Sequence, residues 1–465
     1  LKILYAIHDF LPRHCAGSEL YAYHLCQEMR QRHDVCVLAA EYEPSHQQGK
    51  VVHRQYREIP IVELTNNWSF SGFEESYRSA AMNRILDDQL ASIKPDILHL
   101  HRLLNLSMDL PALAKRRGIA VVATLHDHSL VCASGGQRVH LDEAYVCSSI
   151  DTSRCSRCFM QSPFYQQMAF ASALGAFPIP KPAMNLLRIF RRQLSPLVPL
   201  LRKLNPARNA VTGVTPLQLQ QRLDYLQEVI DAVDVFVAPS QALADEYFRL
   251  GMPESKLRVS DYGFPPLAPR TPAKQPANLD AKESQKLRIG FVGTLVWHKG
   301  IHVLLEAVRR LPPGRFEVLL FGSTATFPDY TKSLSQLAGG LPVIFKGGFD
   351  SDQTAEVYEQ LDVLVVPSLW PENSPLVIHE AYQMGIPVVG ARMGGIVDLV
   401  EHGESGLTYP PFSSEDLAAA LLELIDHPER LTQFRDALPP VKSIADDAKE
   451  WEAVYEELLP QRRAP

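Results

Sequence analysis

The sequence predicts two doubly wound α/β domains that face each other across a cleft. Three observations lead there. Short apolar runs bounded by Gly or Pro alternate with helical patterns in both halves of the chain. At 465 residues the chain is too long for one ordinary core. Between the halves, 265–285 (Pro-Pro-Leu-Ala-Pro-Arg-Thr-Pro-Ala-Lys-Gln-Pro onward) has the composition of a linker. In the first half, 2–7, 34–41, 96–101, 120–126 and 233–240 read as strands. In the second, the strands are 287–292, 316–321, 362–367 and 387–391, and Ile301, Leu304, Leu305, Val308 and Leu311 keep the spacing of one apolar helix face between the first two. We place the domains at 1–268 and 287–440, the linker at 269–286, and a last helical segment at 441–465, and expect closure of the domains to complete a site.

Open α/β sheets bind ligands beyond the carboxyl ends of their strands. The segment that follows 362–367 carries the strongest signal: Pro371-Glu372-Asn373-Ser374-Pro375-Leu376-Val377-Ile378-His379-Glu380. Ser374 is a good N-cap and Pro375 suits the first helical position, which leaves the amides of Leu376 and Val377 without a partner inside the helix. Such amides attract a phosphate. Glu380 lies one turn past Leu376, roughly 5–6 Å between Cβ atoms, within reach of ribose or sugar hydroxyls. As a lone pair, Glu372 and Glu380 would read as solvated residues of a capped surface helix; their place after a buried strand reverses that reading.

Other strand ends add weaker signals. Gly293-Thr294 to Lys299-Gly300 forms a glycine turn into a helix with a lysine at its entrance, suited to a diphosphate, although a solvated helix-start lysine is the plain alternative. Gly322-Ser323 is a further turn after a strand. Gly17-Ser18 opens a helix soon after the first strand and would let backbone approach a phosphate, or would serve as an ordinary βα turn.

Taken together, Gly17-Ser18-Glu19, Thr124-Leu125-His126-Asp127, Gly293 to Gly300 with Lys299, the Glu372 to Glu380 motif, and Gly390-Ala391-Arg392-Met393-Gly394-Gly395 resemble the retaining glycosyltransferases of family 4, with their two Rossmann-like domains in the GT-B architecture. The resemblance is strongest over 287–426 and weakest over 160–225. It implies transfer of a sugar from a nucleotide-diphosphate donor, a UDP- or GDP-sugar above all, to an acceptor hydroxyl, with the anomeric configuration kept and no cofactor or metal required for catalysis. It makes Glu372 the carboxylate facing the donor sugar and Glu380 the ribose ligand. Asn373, Ser374, Pro375, Leu376 and Val377 supply backbone to sugar and phosphate, Lys299 meets the diphosphate, and His126 lines the reaction centre. The donor set is completed by Gly17, Ser18, Gly293, Thr294, Gly322 and Ser323. It further implies that the last helix crosses back onto the first domain. One departure is Thr294, where relatives often carry Arg; Arg392 or Arg102 would then supply the second positive charge.

The chemistry agrees. Breaking a glycosyl phosphate bond builds negative charge on the departing oxygen, which preorganised amides and a lysine stabilise. Asp87-Asp88, the one tempting acidic pair, falls inside a helical pattern and reads as a solvated face. Two other readings stay open: a sugar-nucleotide-binding scaffold without catalysis, and a nucleotide-sugar 2-epimerase on the same architecture.

Four of the seven cysteines, Cys132, Cys147, Cys155 and Cys158, crowd into 27 residues and end in a Cys-x2-Cys pair, the usual half of a structural zinc site; free or redox-active thiols are the alternative. Net charge is −7, yet 152–223 holds ten Lys and Arg, among them Arg188, Arg191, Arg192, Arg202 and Lys203, and no Asp or Glu. This basic, Pro-broken, amphipathic insertion (160–225) suits an anionic membrane surface or a lipid-linked acceptor, or else a solvated hairpin. It belongs to no nucleic-acid module, so nucleic acid is not an expected partner. No signal peptide is evident, and we expect a cytoplasmic protein, peripheral on the inner face of the membrane. The pathway class we expect is polysaccharide, glycolipid or other glycoconjugate synthesis.

Overall fold

The computed structural model describes residues 1–141, 145–174, 213–267 and 286–459. The chain divides into two compact units. One comprises Leu1–Pro239, Tyr247–Ser260 and Ile444–Pro465; the other comprises Ser240–Glu246 and Asp261–Ser443. Most of the basic insertion, including Arg188, Arg191, Arg192, Arg202 and Lys203, and nearly all of the linker lie outside the described residues.

The first unit is built on eight strands: β1 (Lys2–Ile7), β2 (Asp34–Glu41), β3 (Val51–Tyr56), β4 (Ile59–Thr65), β5 (Ile97–Leu100), β6 (Ala120–Thr124) and, after a small hairpin of β7 (Val139–His140) with β8 (Tyr145–Val146), β9 (Val235–Ala238) and β10 (Leu257–Val259). Their order is β10-β9-β6-β5-β1-β2-β4-β3. All neighbours are parallel except β3, which returns antiparallel to β4 at the edge. Parallel strands covered on both faces must be apolar throughout, and β1, β5, β6 and β9 are buried along almost their whole length.

The second unit is a six-stranded, wholly parallel sheet: β11 (Leu287–Val292), β12 (Phe316–Phe321), β13 (Val343–Gly347), β14 (Val363–Val366), β15 (Val388–Ala391) and β16 (Gly406–Tyr409), in the order β13-β12-β11-β14-β15-β16. Successive side chains point to opposite faces. Ile289, Phe291, Val318, Leu320, Val363 and Val365 thus enter one core, while Val292, Leu319, Phe321, Leu364 and Val366 enter another. Two apolar layers therefore clamp one sheet. Counted within the unit, this is the doubly wound 3-2-1-4-5-6 order, whose direction of winding reverses between β11 and β14. The loops leaving those two strands at their carboxyl ends are the ones that begin at Gly293 and at Pro367.

The helix Ile444–Leu458 belongs to the first unit. Its Tyr455 hydroxyl lies 2.7 Å from His99 Nδ1 of β5 and 3.5 Å from the Tyr5 hydroxyl of β1. Trp451 Nε1 donates to the Tyr21 hydroxyl, which donates in turn to Asp447. An apolar face with four polar anchors explains the fixed seat of this helix.

Candidate active site

In the second unit the loops after β11 and β14 meet. Gly293 adopts a φ of 145°, and its amide donates to Phe321 O, so β11 turns sharply toward β12. A short 3-10 turn, Trp297–Lys299, then leads through Gly300, at φ 73°, into the helix Ile301–Val308. Only glycine fits there: a Cβ on Gly300 would stand 1.9 Å from Pro367 O. This close approach lets the Lys299 ammonium reach the loop after β14. Nζ lies 2.6 Å from Glu372 Oε1 and 5.2 Å from the Trp370 ring centroid.

Glu372 is buried, and its carboxylate accepts from Lys299 at 2.6 Å, Ser368 Oγ at 2.6 Å and Trp370 Nε1 at 2.9 Å, all at Oε1. Buried carboxylates need such partners. All three of these donors meet Oε1, and none of them meets Oε2. The backbone of the segment is held from behind by the Gly394-Gly395 turn: Gly395 N donates to Glu372 O at 2.6 Å, and Cβ atoms at Gly394 or Gly395 would stand 2.2 Å from Glu372 O or 1.6 Å from Asn373 O.

The helix is Leu376–Gln383, one residue later than the sequence predicts: Pro375 is the N-cap, with φ −66° and ψ 115°, rather than the first helical residue. Ser374 does not cap. Its hydroxyl is drawn instead to Asp261 Oδ1 at 2.6 Å and to His379 Nε2 at 2.8 Å, where His379 is buried and stacks on Phe264 with ring centroids 4.4 Å apart. The consequence for ligand binding is small, since the amides of Leu376 and Val377 still precede the first i→i−4 acceptor of the helix. Glu380 sits one turn further along, receiving the Tyr358 hydroxyl at 2.8 Å; the same hydroxyl lies 3.1 Å from Val377 O. Burial pushes Glu380 up to about 7, against the opposing effect of the Tyr358 bond.

Thr294 is exposed beside Gly293, and Ser323 is exposed beside the buried Gly322, whose Cβ would meet Gly293 O at 2.1 Å. Arg392 is exposed at the end of β15. Arg102, the other candidate for a second positive charge, is already engaged in the first unit: it donates to His8 Nε2 at 2.9 Å and lies 2.8 Å from Asp127 Oδ2.

The first unit gathers its own polar groups at the ends of β1, β5 and β6. Gly17 is the first residue of the helix Gly17–Met29 and Ser18 the second; Ser18 Oγ donates to the buried Glu19 at 3.1 Å. Glu19 also lies 3.2 Å from His8. His8, Asp9 and Glu19 have ligand atoms within 4.8 Å of one another, but Arg102 donates to the His8 nitrogen lone pair that a metal would need. His99, His101 and His126 stack in a column, with centroids 4.4 Å and 5.1 Å apart. Burial, reinforced by His101 and Arg102, holds His126 well below the usual imidazole range, and burial takes His101 down to about 3. All three are therefore neutral near pH 7. His101 Nε2 is buried without a hydrogen-bond partner among the described residues, whereas Nδ1 lies 2.9 Å from His126 Nε2. The His101 proton is best placed on Nδ1, which makes His126 Nε2 an acceptor there.

The four clustered cysteines line one cavity. The Cys-x2-Cys pair forms no knuckle turn: Cys155 and Cys158 lie within the helix Thr152–Gln161, on one face of it. Asp87, read from sequence as part of a solvated face, makes a two-point pair with Arg117 at 2.7 and 2.6 Å. Ser368, Trp370, Tyr358, Asp261 and His101 escaped the sequence reading. Ser368 and Trp370 directly precede the Glu372 motif and offered a signal; Asp261 and Tyr358 are distant in sequence and offered none.

Residues 286–427 match the protein family described as "Glycosyl transferases group 1", and 16–164 match "Glycosyltransferase Family 4". Among curated proteins, the chain is 29% identical over 201 residues to sulfoquinovosyl transferase SQD2 of Arabidopsis thaliana, covering 42% of this chain and 38% of that protein. It is 31% identical over 258 residues to D-inositol 3-phosphate glycosyltransferase 2 of Catenulispora acidiphila, covering 51% and 59%. The chain thus spans about half the length of the curated relatives it matches. Among solved structures it is similar to Anabaena HepE in complex with UDP and glucose, with a TM-score of 0.58, 17% identity and full coverage of both chains. It is also similar to sucrose-phosphate synthase from Thermosynechococcus elongatus, with a TM-score of 0.62, 15% identity and 99% coverage of both. The fold is GT-B, and each of its two units carries a segment matching a glycosyltransferase family.

Proposed function

We propose that the protein is a retaining, metal-independent glycosyltransferase that moves a sugar from a nucleotide-diphosphate donor to an acceptor hydroxyl. The observation that carries this reading is the Glu372 carboxylate, fixed by Lys299, Ser368 and Trp370 just ahead of a helix N-terminus at the winding reversal of the second sheet. The proposal seats the diphosphate on the amides of Leu376 and Val377, with Lys299 and the Gly293-Thr294 and Gly322-Ser323 turns beside it. Ribose hydroxyls donate to Glu380. Glu372 Oε2 accepts from hydroxyls of the donor sugar, and Asn373 to Val377 contribute backbone. The complex of Anabaena HepE with UDP and glucose supports a nucleotide-sugar donor.

Chemically, the sugar–oxygen bond breaks with positive charge growing on the ring and negative charge on the leaving phosphate. The helix amides and Lys299 stabilise the latter without needing to reorganise. In the proposal, His126 keeps the role that the resemblance implies, lining the reaction centre as a neutral imidazole. Same-face attack, with the leaving phosphate taking the acceptor proton, retains configuration. The acid-free basic stretch 152–223 supports a lipid-linked or other anionic acceptor, and glycoconjugate synthesis at the inner face of a membrane. Among the described residues no helix is long and apolar enough to cross one.

Thermal-shift screening against UDP-, GDP-, ADP- and dTDP-sugars identifies the donor, because a ligand that binds the native state raises its melting temperature. Donor turnover, as hydrolysis or transfer, then disappears in Glu372→Ala. Turnover that survives this substitution overturns the assignment, and a chain that binds nucleotide with no turnover to lose is a binding protein instead.

A further inference from the structure

The cysteine-lined cavity of the first unit is independent of the sugar-transfer reading. Cys132 is fixed by its amide, which donates to His128 O at 2.8 Å. The β7–β8 hairpin then turns the chain back, so that the Cys147 amide donates to Arg138 O at 2.8 Å. Asp151 caps the next helix, accepting from the amides of Ser153 and Arg154 at 2.9 and 3.0 Å. That helix presents Cys155 and Cys158 at i and i+3, and Cys158 Sγ comes within 3.9 Å of Val139 O on the hairpin. Four thiols from three stretches of backbone therefore converge on one cavity, and none of them is in a disulfide.

Two features distinguish this cluster from buried cysteines in general. The hairpin strands are two residues long each, and the helix buries only Ser156, Cys158 and Phe159. Elements this short bury few apolar side chains of their own, chiefly Val139 and Phe159, so a cross-link between them would add to their stability. The cavity is also cationic at its edge: Arg138, buried, and Arg154 line it with the cysteines, while the carboxylate of Asp151 is turned to the helix amides. A tetrathiolate zinc centre carries a net charge of about −2, which such guanidinium groups complement.

We infer that Cys132, Cys147, Cys155 and Cys158 bind one structural Zn²⁺, tying the β7–β8 hairpin to the helix Thr152–Gln161. No three of the four sulfurs lie within 4.8 Å of one another, so binding draws them inward. Each thiol releases its proton to solvent as its sulfur coordinates the ion, which makes binding weaker at low pH. The ion is structural, since four protein ligands leave no open position.

Full-length protein purified without added metal or metal-affinity resin is assayed by elemental mass spectrometry. The expected result is about one zinc per chain, retained in Cys15→Ser and reduced to less than about a tenth in Cys155→Ser/Cys158→Ser. Should the double variant fail to fold, wild-type protein stripped of metal and reconstituted with Co²⁺ gives the second readout: a thiolate-to-cobalt charge-transfer band with the visible absorption of a tetrahedral site. Wild-type protein that holds less than about a tenth of an equivalent, both as purified and after incubation with Zn²⁺, and that shows no cobalt–thiolate band, overturns the inference. So does a disulfide between any two of these cysteines, or full zinc retention in the double variant. Donor turnover is measured in parallel, and its presence or absence bears on the sugar-transfer reading alone.

Discussion

The Lys299 ammonium lies 2.6 Å from Glu372 Oε1, although the two residues are 73 positions apart and arrive on loops from the adjacent parallel strands β11 and β14. Lys299 is half-buried and Glu372 almost wholly so. In the proposed donor complex, a diphosphate would compete with Glu372 for this lysine. Removing either partner should therefore cost more than a surface pair would.

Glu372→Gln keeps the shape and removes the charge. We expect kcat to fall about 10²–10³-fold, the scale of losing one preorganised electrostatic contact, with little change in nucleotide affinity. Lys299→Met should instead weaken nucleotide-diphosphate binding as well as kcat. Steady-state kinetics with titration calorimetry separates the two, and equal loss of affinity in both variants counts against these roles.

Gly395→Ala tests the support behind Glu372. A methyl group at that position collides with Asn373 O at 1.6 Å and must push the motif away from the turn. We expect a stability loss of about 1–3 kcal/mol and a larger proportional loss of turnover. Gly314→Ala, where the added Cβ meets nothing within 4 Å but φ is 83°, is the control for backbone strain without collision. Denaturant melts and rates on the two proteins distinguish collision from strain.

Glu380 sets a pH dependence with a definite sign. Its ordinary value is 4.5 and its folded value about 7, so between these limits the folded chain holds a proton that the unfolded chain has lost. Stability contributed by this group is present below 4.5 and is lost as pH rises to about 7. Glu380→Gln should flatten that part of the stability profile. If Glu380 holds the ribose as proposed, nucleotide binding should move the opposite way, strengthening as pH rises toward about 7, because the ionised carboxylate accepts hydroxyls better. Binding isotherms that are flat over this range would refute the assignment.

The histidine column gives the first unit the reverse behaviour. His99, His101 and His126 are held neutral by burial, with His101 down to about 3 from an ordinary 6.5. Below 6.5 the unfolded chain takes up protons that the folded one refuses, so stability is full above that pH and falls as the solution is acidified. Scanning calorimetry between pH 7 and 4 should show it, with His101→Phe reducing the slope. The activity profile should carry no break near 6.5 from His126.

Trp451→Ala removes a buried indole that stacks on Tyr455, with centroids 6.0 Å apart, and donates to Tyr21. A cost of about 3–5 kcal/mol is expected. Chemical denaturation followed by circular dichroism measures it; a loss below 1 kcal/mol would mean that the helix is held elsewhere.

The central strands were legible because both of their faces are buried, which leaves continuous apolar runs such as Val-Leu-Val-Val in β14. Edge strands were not. In β13, half-buried residues alternate with exposed ones, and Ile344 is 45% exposed; β3 carries His53, Arg54 and Gln55, and β4 beside it went unread as well. Short β10 and β16 offer three and four residues. At the site, Glu372, Glu380 and Lys299 stood out through local spacing. The error at Ser374 had a specific cause: its hydroxyl prefers Asp261, 113 positions away, to a helix amide, and no local pattern encodes that choice. Tyr358 and His101 were hidden for the same reason, since their partners come from other elements.

The Tyr5 and Tyr455 hydroxyls, 450 positions apart, meet inside one core. Synthesis proceeds from the amino end, and domains ordinarily fold in that order as they leave the ribosome. Here the β1 surface stays uncovered until Ile444–Leu458 has emerged, by which time every strand of the later sheet is already outside. The unit translated first is therefore the last to be completed.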